Sequence, residues 1–158
     1  MINRLDISDK ERDYIYSFHD KGYVIIDLGL DKDYLDNLKK DMRNLLSNEN
    51  FKTNSSFFSY NDSPRIVDAG KQIPRAIDLA LNDKVIKILK LLYRREPIPF
   101  STINFFKGTE QPLHSDTIHF GSIPKGFLSA CWVALEDTDE SNGGLQVVEG
   151  SHKLRDID

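Results

Sequence analysis

The stretch LLYRREPIPFSTINFF, residues 91–106, marks a change of pattern along the sequence. Before it, apolar residues recur at helical spacing, whereas after it short β-rich runs alternate with turn formers. Helices followed by strands are typical of the α+β class. The sequence therefore predicts a single domain over residues 1–158, with a helical part over residues 1–95 and a β-rich part over residues 96–158.

The beginning of the chain carries signals for the ends of two helices. Ser8 and Glu11 match a capping box, and Gly22 can end the first helix at about position 21. Asp31 can cap a second helix, in which apolar residues recur at helical spacing as far as about position 46. Between the helices, YVIIDL at residues 23–28 predicts a short strand because β-branched residues favour strands.

Two further helices are predicted before the change of pattern. Pro74 favours the first position of a helix over PRAIDLAL, residues 74–81, because its missing N–H is not needed there. Asn82 can cap the next helix over DKVIKILKLLY, residues 83–93. These helices complete the predicted helical part.

Residues 47–63 form the least regular stretch of the helical part, in which polar turn formers are interrupted by aromatic residues. The aromatic residues are Phe51, Phe57, Phe58 and Tyr60. Two interpretations stay open. Residues 51–60 form a lid over a functional site, since long ordered loops are often lids, or the aromatic side chains pin an ordinary loop to the core.

The β-rich part contains three runs that predict strands. They are PFSTINFF at residues 99–106, FLSACWVAL at residues 127–135 and LQVVEG at residues 145–150. Turn formers separate the runs, at Gly108, at residues 124–126 and at residues 142–144. Short strands separated by turns predict the beginning of an antiparallel sandwich or barrel.

The composition excludes several classes of protein. A net charge of −4 gives no clustered basic surface for nucleic acid. Cys131 is the one cysteine, so an internal disulfide is impossible and a reducing compartment is favoured. The polar N-terminus lacks the apolar core of a signal peptide, and the longest apolar run, residues 23–30, is too short for a membrane span of about 20 residues. We expect a soluble cytoplasmic protein without membrane partners.

The stretch LHSDTIHF, residues 113–120, brings histidine and aspartate close together in sequence. On a strand, His114 and Asp116 would share a face with Cα atoms about 7 Å apart, so both could reach one ion. Imidazole and carboxylate suit iron, manganese or zinc, and a further histidine would complete the facial triad of non-haem Fe(II) oxygenases. The alternative is a polar surface turn. His119 would point to the other strand face, either lining a pocket or lying on the surface.

Four pieces of the chain carry a resemblance to a known family: FHDKGYVIIDLGLDKDYLDNLKKDM at residues 18–42, TINFFKG at residues 102–108, LHSDTIHF, and CWVALEDTDESNGGLQVVEGSHK at residues 131–153. With these pieces in this order, the chain resembles the phytanoyl-CoA dioxygenase (PhyH) family of Fe(II)- and 2-oxoglutarate-dependent oxygenases. The resemblance implies a double-stranded β-helix of the jelly-roll, cupin-like type after the helices.

The resemblance also implies roles for individual residues. His114 and Asp116 match the first two metal ligands and thereby the catalytic centre. Asn104 matches a polar contact to 2-oxoglutarate, and Trp132 matches a tryptophan near the metal and the cosubstrate. Ordinary structural roles remain as alternatives, namely a core aromatic for Trp132 and a ladder or turn hydrogen bond for Asn104.

Two features of the last piece concern structure. Asn142 and Gly143 match the hairpin turn of the family, although Asn-Gly is also the best general hairpin turn. His152 matches the histidine of the Gly-Ser-His segment, which the family does not use as a metal ligand, and we expect a satisfied structural histidine. Glu149 stands where relatives usually have proline, which predicts an altered turn.

The resemblance leaves the iron site incomplete. In the family, the second histidine ligand lies well beyond the Gly-Ser-His segment, and an arginine for 2-oxoglutarate follows it. The sequence ends at Asp158, so we expect an N-terminal portion of a longer oxygenase, with C-terminal strands missing and no activity as given. Neither His19 nor His152 has the spacing to act as the third ligand.

Two functional hypotheses follow. In the first, the chain belongs to a dioxygenase that uses Fe(II), 2-oxoglutarate and O₂ to hydroxylate a small organic substrate. Lys107, His119 and residues 51–60 are pocket candidates by position alone. In the second, the chain is a catalytically inactive family member that acts as a binding module, with another chain adding strands to its sheet. The sequence leaves the substrate and the oligomeric state open.

Overall fold

The computed structural model describes residues 7–52, 56–60, 62–108, 111–118 and 120–154. Helices dominate up to residue 93, and a three-stranded antiparallel sheet accompanies them. This confirms the predicted α+β class. The chain divides into two compact units, which are the described parts of Met1–Leu28, Asp83–Pro97 and Gln146–Asp158 in the first unit, and of Gly29–Asn82 and Ile98–Leu145 in the second.

The first unit contains helix α1, Asp9–Lys21, which has the predicted capping box at its start. The Ser8 hydroxyl accepts a hydrogen bond from the Glu11 amide at 3.3 Å, and the Glu11 carboxylate accepts one from the Ser8 amide at 2.8 Å. Two N–H groups that a helix start leaves without partners are thereby satisfied. Gly22 ends the helix in the left-handed conformation, with φ 88°, as predicted.

The first unit also contains helix α5, Asp83–Tyr93, which packs against α1. The rings of Phe18 and Tyr93 meet edge to face with their centroids 6.1 Å apart. Ile88 is buried on the apolar side of α5. An ion pair also joins the two helices, with the Lys87 ammonium 2.6 Å from the Glu11 carboxylate. Apolar packing and one ion pair therefore hold the helices together.

The strand predicted at residues 23–28 is wrong, because this stretch is irregular. Its carbonyl groups accept hydrogen bonds from side chains and not from a neighbouring strand. The Ser17 hydroxyl donates to the Tyr23 carbonyl at 3.2 Å, and the Lys84 ammonium donates to the Leu28 carbonyl at 2.8 Å. Because side chains satisfy these carbonyl groups, the segment needs no neighbouring strand for them.

The second unit combines helices with the sheet. Helix α2, Lys32–Leu46, is capped by the Asp31 carboxylate, and helix α4, Pro74–Ala80, begins with its proline, both as predicted. A short helix α3, Glu49–Lys52, lies between them in sequence. The strands are β1, Phe57–Tyr60, β2, Ser63–Val67, and β3, Ile103–Phe105, in the order β1-β2-β3. The core consists of Leu38, Met42, Phe51, Ile66, Ala69, Ile73 and Ala76.

The irregular loop predicted over residues 47–63 is also wrong for its described residues, since α3 and β1 occupy much of it. Residues 53–55 and 61 lie outside the described part. Phe51 is buried in the core and meets Phe57 edge to face, with ring centroids 6.4 Å apart. These two aromatic side chains anchor the stretch, which favours the interpretation of a pinned segment over that of a lid.

The β-rich part departs most from the prediction. Strand β3 confirms part of the first predicted run, but residues 127–135 and 145–150 form no strand. After Ile88, every residue whose burial the structure describes is at least partly exposed. A strand has regular structure only when a neighbour satisfies its backbone groups, and these runs have no neighbouring strand in the described chain. Among the described residues, no helix is both long and apolar enough to cross a membrane.

Candidate metal centre

The predicted metal pair, His114 and Asp116, is brought together in the second unit. His114 Nε2 lies 3.5 Å from Asp116 Oδ1. His114 Nδ1 lies 2.7 Å from the Pro112 carbonyl oxygen. Because a carbonyl only accepts, Nδ1 donates in this contact, which leaves Nε2, on the side of the carboxylate, as the ring nitrogen that can bind a metal ion. A backbone carbonyl that orients the ring in this way is typical of metal-binding histidines.

The spacing of the two ligand atoms fits a shared metal ion. Two ligands at about 2.1 Å from an ion, in tetrahedral or octahedral geometry, are separated by about 3.0–3.4 Å. The observed 3.5 Å is close to this range. The side chains of His114 and Asp116 are 32% and 59% exposed, so an ion can reach them from solvent. The residues present therefore fit two ligands of one metal.

The strand predicted for this segment is wrong, because a 3₁₀ turn, Asp116–Ile118, follows His114. The Phe120 amide donates to the Asp116 carbonyl at 2.8 Å, and the Ser115 hydroxyl lies 2.7 Å from that of Thr117. Local bonds from serine and threonine side chains compete with a strand ladder, which explains the turn. The turn brings the side chains of His114 and Asp116 together, as was expected from a strand. His119 lies outside the described residues.

A third metal ligand is not found in the part of the chain that the structure describes, where no group of three histidine, cysteine or acidic side chains could hold an ion. His152 Nε2 is hydrogen bonded to the His19 carbonyl at 3.0 Å. This contact confirms that His152 is a satisfied structural histidine. The described residues therefore supply two of the three ligands of a facial triad.

Asn104 lies on β3 opposite Ile66 of β2. Its Oδ1 atom and the Thr102 hydroxyl are buried, and neither atom finds a hydrogen-bond partner among the described residues. The two residues are two positions apart and share one face of the sheet with fully buried Ile66. The side-chain oxygen of Asn104 therefore accepts no ladder or turn hydrogen bond from the described residues, and this buried acceptor would be satisfied by a donor from a ligand or a water molecule.

Trp132 lies in the irregular stretch of residues 127–135 and is 45% exposed. The alternative of a core aromatic is therefore wrong for the described chain. The run that carries Trp132 has no neighbouring strand among the residues that the structure describes. A role beside the metal and the cosubstrate stays a prediction.

Arg65 on β2 carries no sequence signal of a functional residue. It is only 7% exposed, and its guanidinium lies over the rings of Phe58 and Phe105, 5.4 and 5.1 Å from their centroids. It projects to the opposite sheet face from Ile66, because neighbouring strand residues alternate. A guanidinium held between aromatic rings is a suitable site for a carboxylate. Only the pairing of β2 with β3 reveals this arrangement.

Asp68 fastens β2 to the start of β3. Its carboxylate accepts hydrogen bonds from the Ser101 hydroxyl at 3.0 Å and the Thr102 amide at 3.3 Å, while its own amide donates to the Thr102 carbonyl. The hydrogen bond from Lys71 is the main cause that lowers the pKa of the Asp68 carboxyl, and the hydrogen bond from Ser101 is the second. The strand that carries Asn104 is therefore fixed at its entrance.

The turn predicted at Asn142 and Gly143 is present without its flanking strands. The Asn142 side chain accepts from the Asp139 amide at 2.8 Å. A Cβ added to Gly143 would lie 3.3 Å from Gly108 Cα, so the turn approaches the end of β3 closely. Lys107 precedes Gly108 and is exposed, and its carbonyl accepts from Ser63 at 3.4 Å. A role of Lys107 in a substrate pocket stays a prediction.

A separate surface groove of about 450 Å³ contains none of the predicted site residues. It is lined by Tyr34, Asn37, Asp41, Pro74, Arg75 and Asp78. The Tyr34 hydroxyl donates to the Arg75 carbonyl at 2.6 Å, and Arg75 pairs with Asp41 at 3.3 Å. These polar groups satisfy one another, so the groove is a contact between α2 and α4 and not the metal centre.

Comparisons with known proteins show which family the chain is similar to. The sequence model of the phytanoyl-CoA dioxygenase (PhyH) family matches residues 18–158. The peroxisomal phytanoyl-CoA dioxygenase of Rattus norvegicus is 26% identical over 105 residues, which cover 66% of this chain and 28% of that protein. A probable phytanoyl-CoA dioxygenase of Caenorhabditis elegans is 29% identical over 107 residues, which cover 66% of this chain and 31% of that protein.

A third relative is the phytanoyl-CoA dioxygenase domain-containing protein 1 of Danio rerio, 36% identical over 73 residues, which cover 44% of this chain and 25% of that protein. The chain thus spans less than a third of the length of these curated relatives. No solved structure matches it significantly. Because the family match extends over most of the sequence, the chain belongs to the phytanoyl-CoA dioxygenase (PhyH) family.

Proposed function

We propose that the chain is part of a non-haem Fe(II)- and 2-oxoglutarate-dependent dioxygenase that hydroxylates a small organic substrate. The observation that carries the proposal is the convergence of His114 Nε2 and the Asp116 carboxylate at 3.5 Å. Bound iron, together with 2-oxoglutarate and O₂, would supply the oxidising power for attack on a C–H bond. The protein would supply ligands, orientation and a site protected from water.

The two ligands have distinct roles in this proposal. His114 would bind the metal through Nε2. The Pro112 carbonyl fixes the orientation of the ring by accepting a hydrogen bond from Nδ1, with 2.7 Å between the nitrogen and the oxygen. Asp116 provides a negative oxygen ligand that balances the charge of the cation. The backbone bond from Phe120 to the Asp116 carbonyl holds the turn and thereby the direction of the carboxylate.

The cosubstrate site has two candidate contacts on opposite faces of the sheet. Asn104 and Trp132 are the contacts that the family resemblance implies, and the Asn104 Oδ1 atom is a buried acceptor. Arg65 is a buried cation on the other face, where it can meet a carboxylate of 2-oxoglutarate. Since Ile66 and the helices fill the face that Asn104 shares, we favour the Arg65 face for the cosubstrate.

The third ligand is proposed to come from polypeptide outside these 158 residues. Two protein ligands hold Fe(II) more weakly than three, so we expect this chain alone to be inactive. The matched regions cover 25–31% of the lengths of the three relatives, which supports a longer oxygenase. Sequencing the transcript past the codon for Asp158 tests this point, and an immediate stop codon would contradict it.

The iron site is tested by anaerobic titration of the chain with Fe(II) in the presence of 2-oxoglutarate, with visible absorption as the measurement. Chelation of the metal by 2-oxoglutarate at His114 and Asp116 should give a charge-transfer band at high Fe(II) concentration. The His114→Ala variant should lose the band, and the matched control His19→Ala should keep it. An unchanged band in His114→Ala would overturn the assignment.

The cosubstrate face is tested by comparing Arg65→Met with Asn104→Ala in the same titration. If the Arg65 face holds 2-oxoglutarate, Arg65→Met should raise the 2-oxoglutarate concentration needed for half of the band by about tenfold, equivalent to about 1.4 kcal/mol. Asn104→Ala should then leave it unchanged. The reverse result would place the cosubstrate on the face of Asn104.

A second candidate function is an inactive binding module. It is favoured by the exposed apolar side chains of the β-rich part, such as Phe100 at 66% and Ile123 at 104% exposure. Strand β3 lies at the edge of the sheet, where another chain can add a strand. This function requires a stable fold without iron binding, so the absence of any Fe(II)-dependent band in the wild-type chain would favour it.

A further inference from the structure

The Gly-Ser-His segment lies against the C-terminal end of α1, within the first unit. We define the strap as residues 149–153. The Gly150 amide donates to the Lys21 carbonyl at 2.8 Å, and the His152 ring donates from Nε2 to the His19 carbonyl at 3.0 Å. A helix leaves the carbonyls of its last turn without internal partners. The strap therefore caps α1 from a position about 130 residues further along the chain.

The His152 ring lies directly against Gly22, and we call Gly22 the receptor of this ring. A Cβ added to Gly22 would lie 2.4 Å from His152 Nδ1 and 3.0 Å from Cγ, so the ring occupies the space that any other side chain would need. Gly22 also has φ 88°, which ends the helix. The same glycine thus serves two purposes, namely helix termination and ring contact.

Exposed side-chain contacts add to the strap. The Tyr23 hydroxyl donates to the Glu149 carboxylate at 2.8 Å, and Lys21 lies 3.5 Å from the same carboxylate. Lys153 donates to Asp20 at 3.1 Å. Such exposed pairs stabilise little, because water and salt screen them. The backbone-directed bonds and the fit to Gly22 must therefore provide most of the attachment.

The strap also borders an apolar cleft of about 380 Å³ in the first unit. The cleft is lined by Ile15, Phe18, His19, Leu92, His152 and Lys153. The helices contribute the apolar side chains and the strap contributes its histidine and lysine. The strap residues themselves are not buried, so few contacts need to break for it to leave.

We propose that residues 149–153 form a reversible strap that closes one side of the cleft between α1 and α5, with Gly22 as the receptor for His152. The hydrogen bond from Tyr23 to Glu149 lies at the beginning of the strap. Opening would free the last carbonyls of α1 and expose Ile15 and Leu92. This inference does not rest on iron or on the proposed oxygenase activity.

The first test is hydrogen exchange of the Gly150 amide, measured by NMR on the 158-residue chain. Gly22→Ala should speed this exchange by about tenfold, because the new methyl group displaces the His152 ring. The matched control is Gly126→Ala, since Gly126 has a similar φ of 86° but open space around its Cβ position. Equal exchange in wild type and Gly22→Ala would overturn the strap.

A second test uses His152→Ala, which removes the ring without straining α1. It should also speed Gly150 exchange, and a soluble paramagnetic probe should then broaden the methyl signals of Ile15 and Leu92. In the His152→Ala background, Gly22→Ala should add less than it does alone, because the clash is gone. Strict additivity of the two variants would contradict the receptor role of Gly22.

Discussion

Two regions of the second unit differ sharply although both are rich in apolar residues. In residues 32–80, helices and the β1–β2 hairpin bury Leu38 and Ile66 completely. In residues 98–145, none of the described residues is buried, and Trp132 is 45% exposed. The same kind of side chain is thus inside in one region and outside in the other.

The difference follows from how each kind of structure satisfies its backbone. A helix forms its hydrogen bonds within the segment, so α2 and α4 need only a surface to pack on. A strand forms its bonds with a neighbour, so the runs at residues 127–135 and 145–150 remain irregular without one. Apolar pattern alone therefore does not create a sheet.

The largest effect is expected from Leu38→Ala in the buried region. Leu38 is 0% exposed, and removing a buried leucine leaves a cavity that costs about 2–5 kcal/mol of the free energy of unfolding. The matched variant Leu113→Ala, at a site that is 65% exposed, should change stability by less than about 0.5 kcal/mol. Urea denaturation followed by circular dichroism measures both, and similar losses would erase the contrast.

A smaller effect is expected from adding a methyl group at glycine. A Cβ on Gly70 would lie 2.1 Å from Ile77 Cγ1, so Gly70→Ala should force the 46% exposed Ile77 side chain to move and destabilise the chain by about 0.5–1.5 kcal/mol. Gly121→Ala in the other region meets nothing within 4 Å and should be nearly neutral. If Gly121→Ala lowers the thermal unfolding temperature more than Gly70→Ala does, the surroundings of Gly121 are not open, and the contrast between the two regions fails.

The capping box of α1 gives an effect of about 1 kcal/mol. Ser8→Ala removes the hydroxyl that accepts from the Glu11 amide, which costs about 0.5–2 kcal/mol at a helix start. Ser129→Ala, at an exposed position of the β-rich part, is the control and should have no measurable effect. Helix content by circular dichroism across a urea series distinguishes the two variants.

The smallest expected effect is a change in how the stability of the chain depends on pH in the acidic range. Hydrogen bonds from Lys87 and Ser8 lower the pKa of Glu11 from 4.5 to about 2. Since the folded pKa lies below the unfolded value, Glu11 contributes stability above about pH 4.5, and this contribution is lost as the pH falls towards 2. Glu11→Gln should flatten the stability profile in this window. An unaltered profile in Glu11→Gln would contradict the cap.

The metal pair was recognisable in the sequence, but the geometry that unites it was not. The His-x-Asp spacing identified His114 and Asp116, because histidine and carboxylate two positions apart can reach one ion. The expected strand is in fact a turn, since Ser115 and Thr117 form local side-chain bonds. Arg65 could not be identified from the sequence, because its burial depends on the pairing of β2 with the distant strand β3, which places Phe105 opposite Arg65.

The sequence by itself determined α1, α2, α4 and α5, with ends at Ser8, Gly22, Asp31 and Pro74, because a helix and its caps depend on residues a few positions apart. It did not determine the short α3, whose Phe51 is buried in the core. The tertiary structure decided which β-rich runs became strands, since that depends on distant neighbours. It also decided the contact of His152 with Gly22, which lie 130 positions apart in sequence. Local hydrogen bonds can be inferred from local sequence, whereas contacts between distant segments require the folded chain.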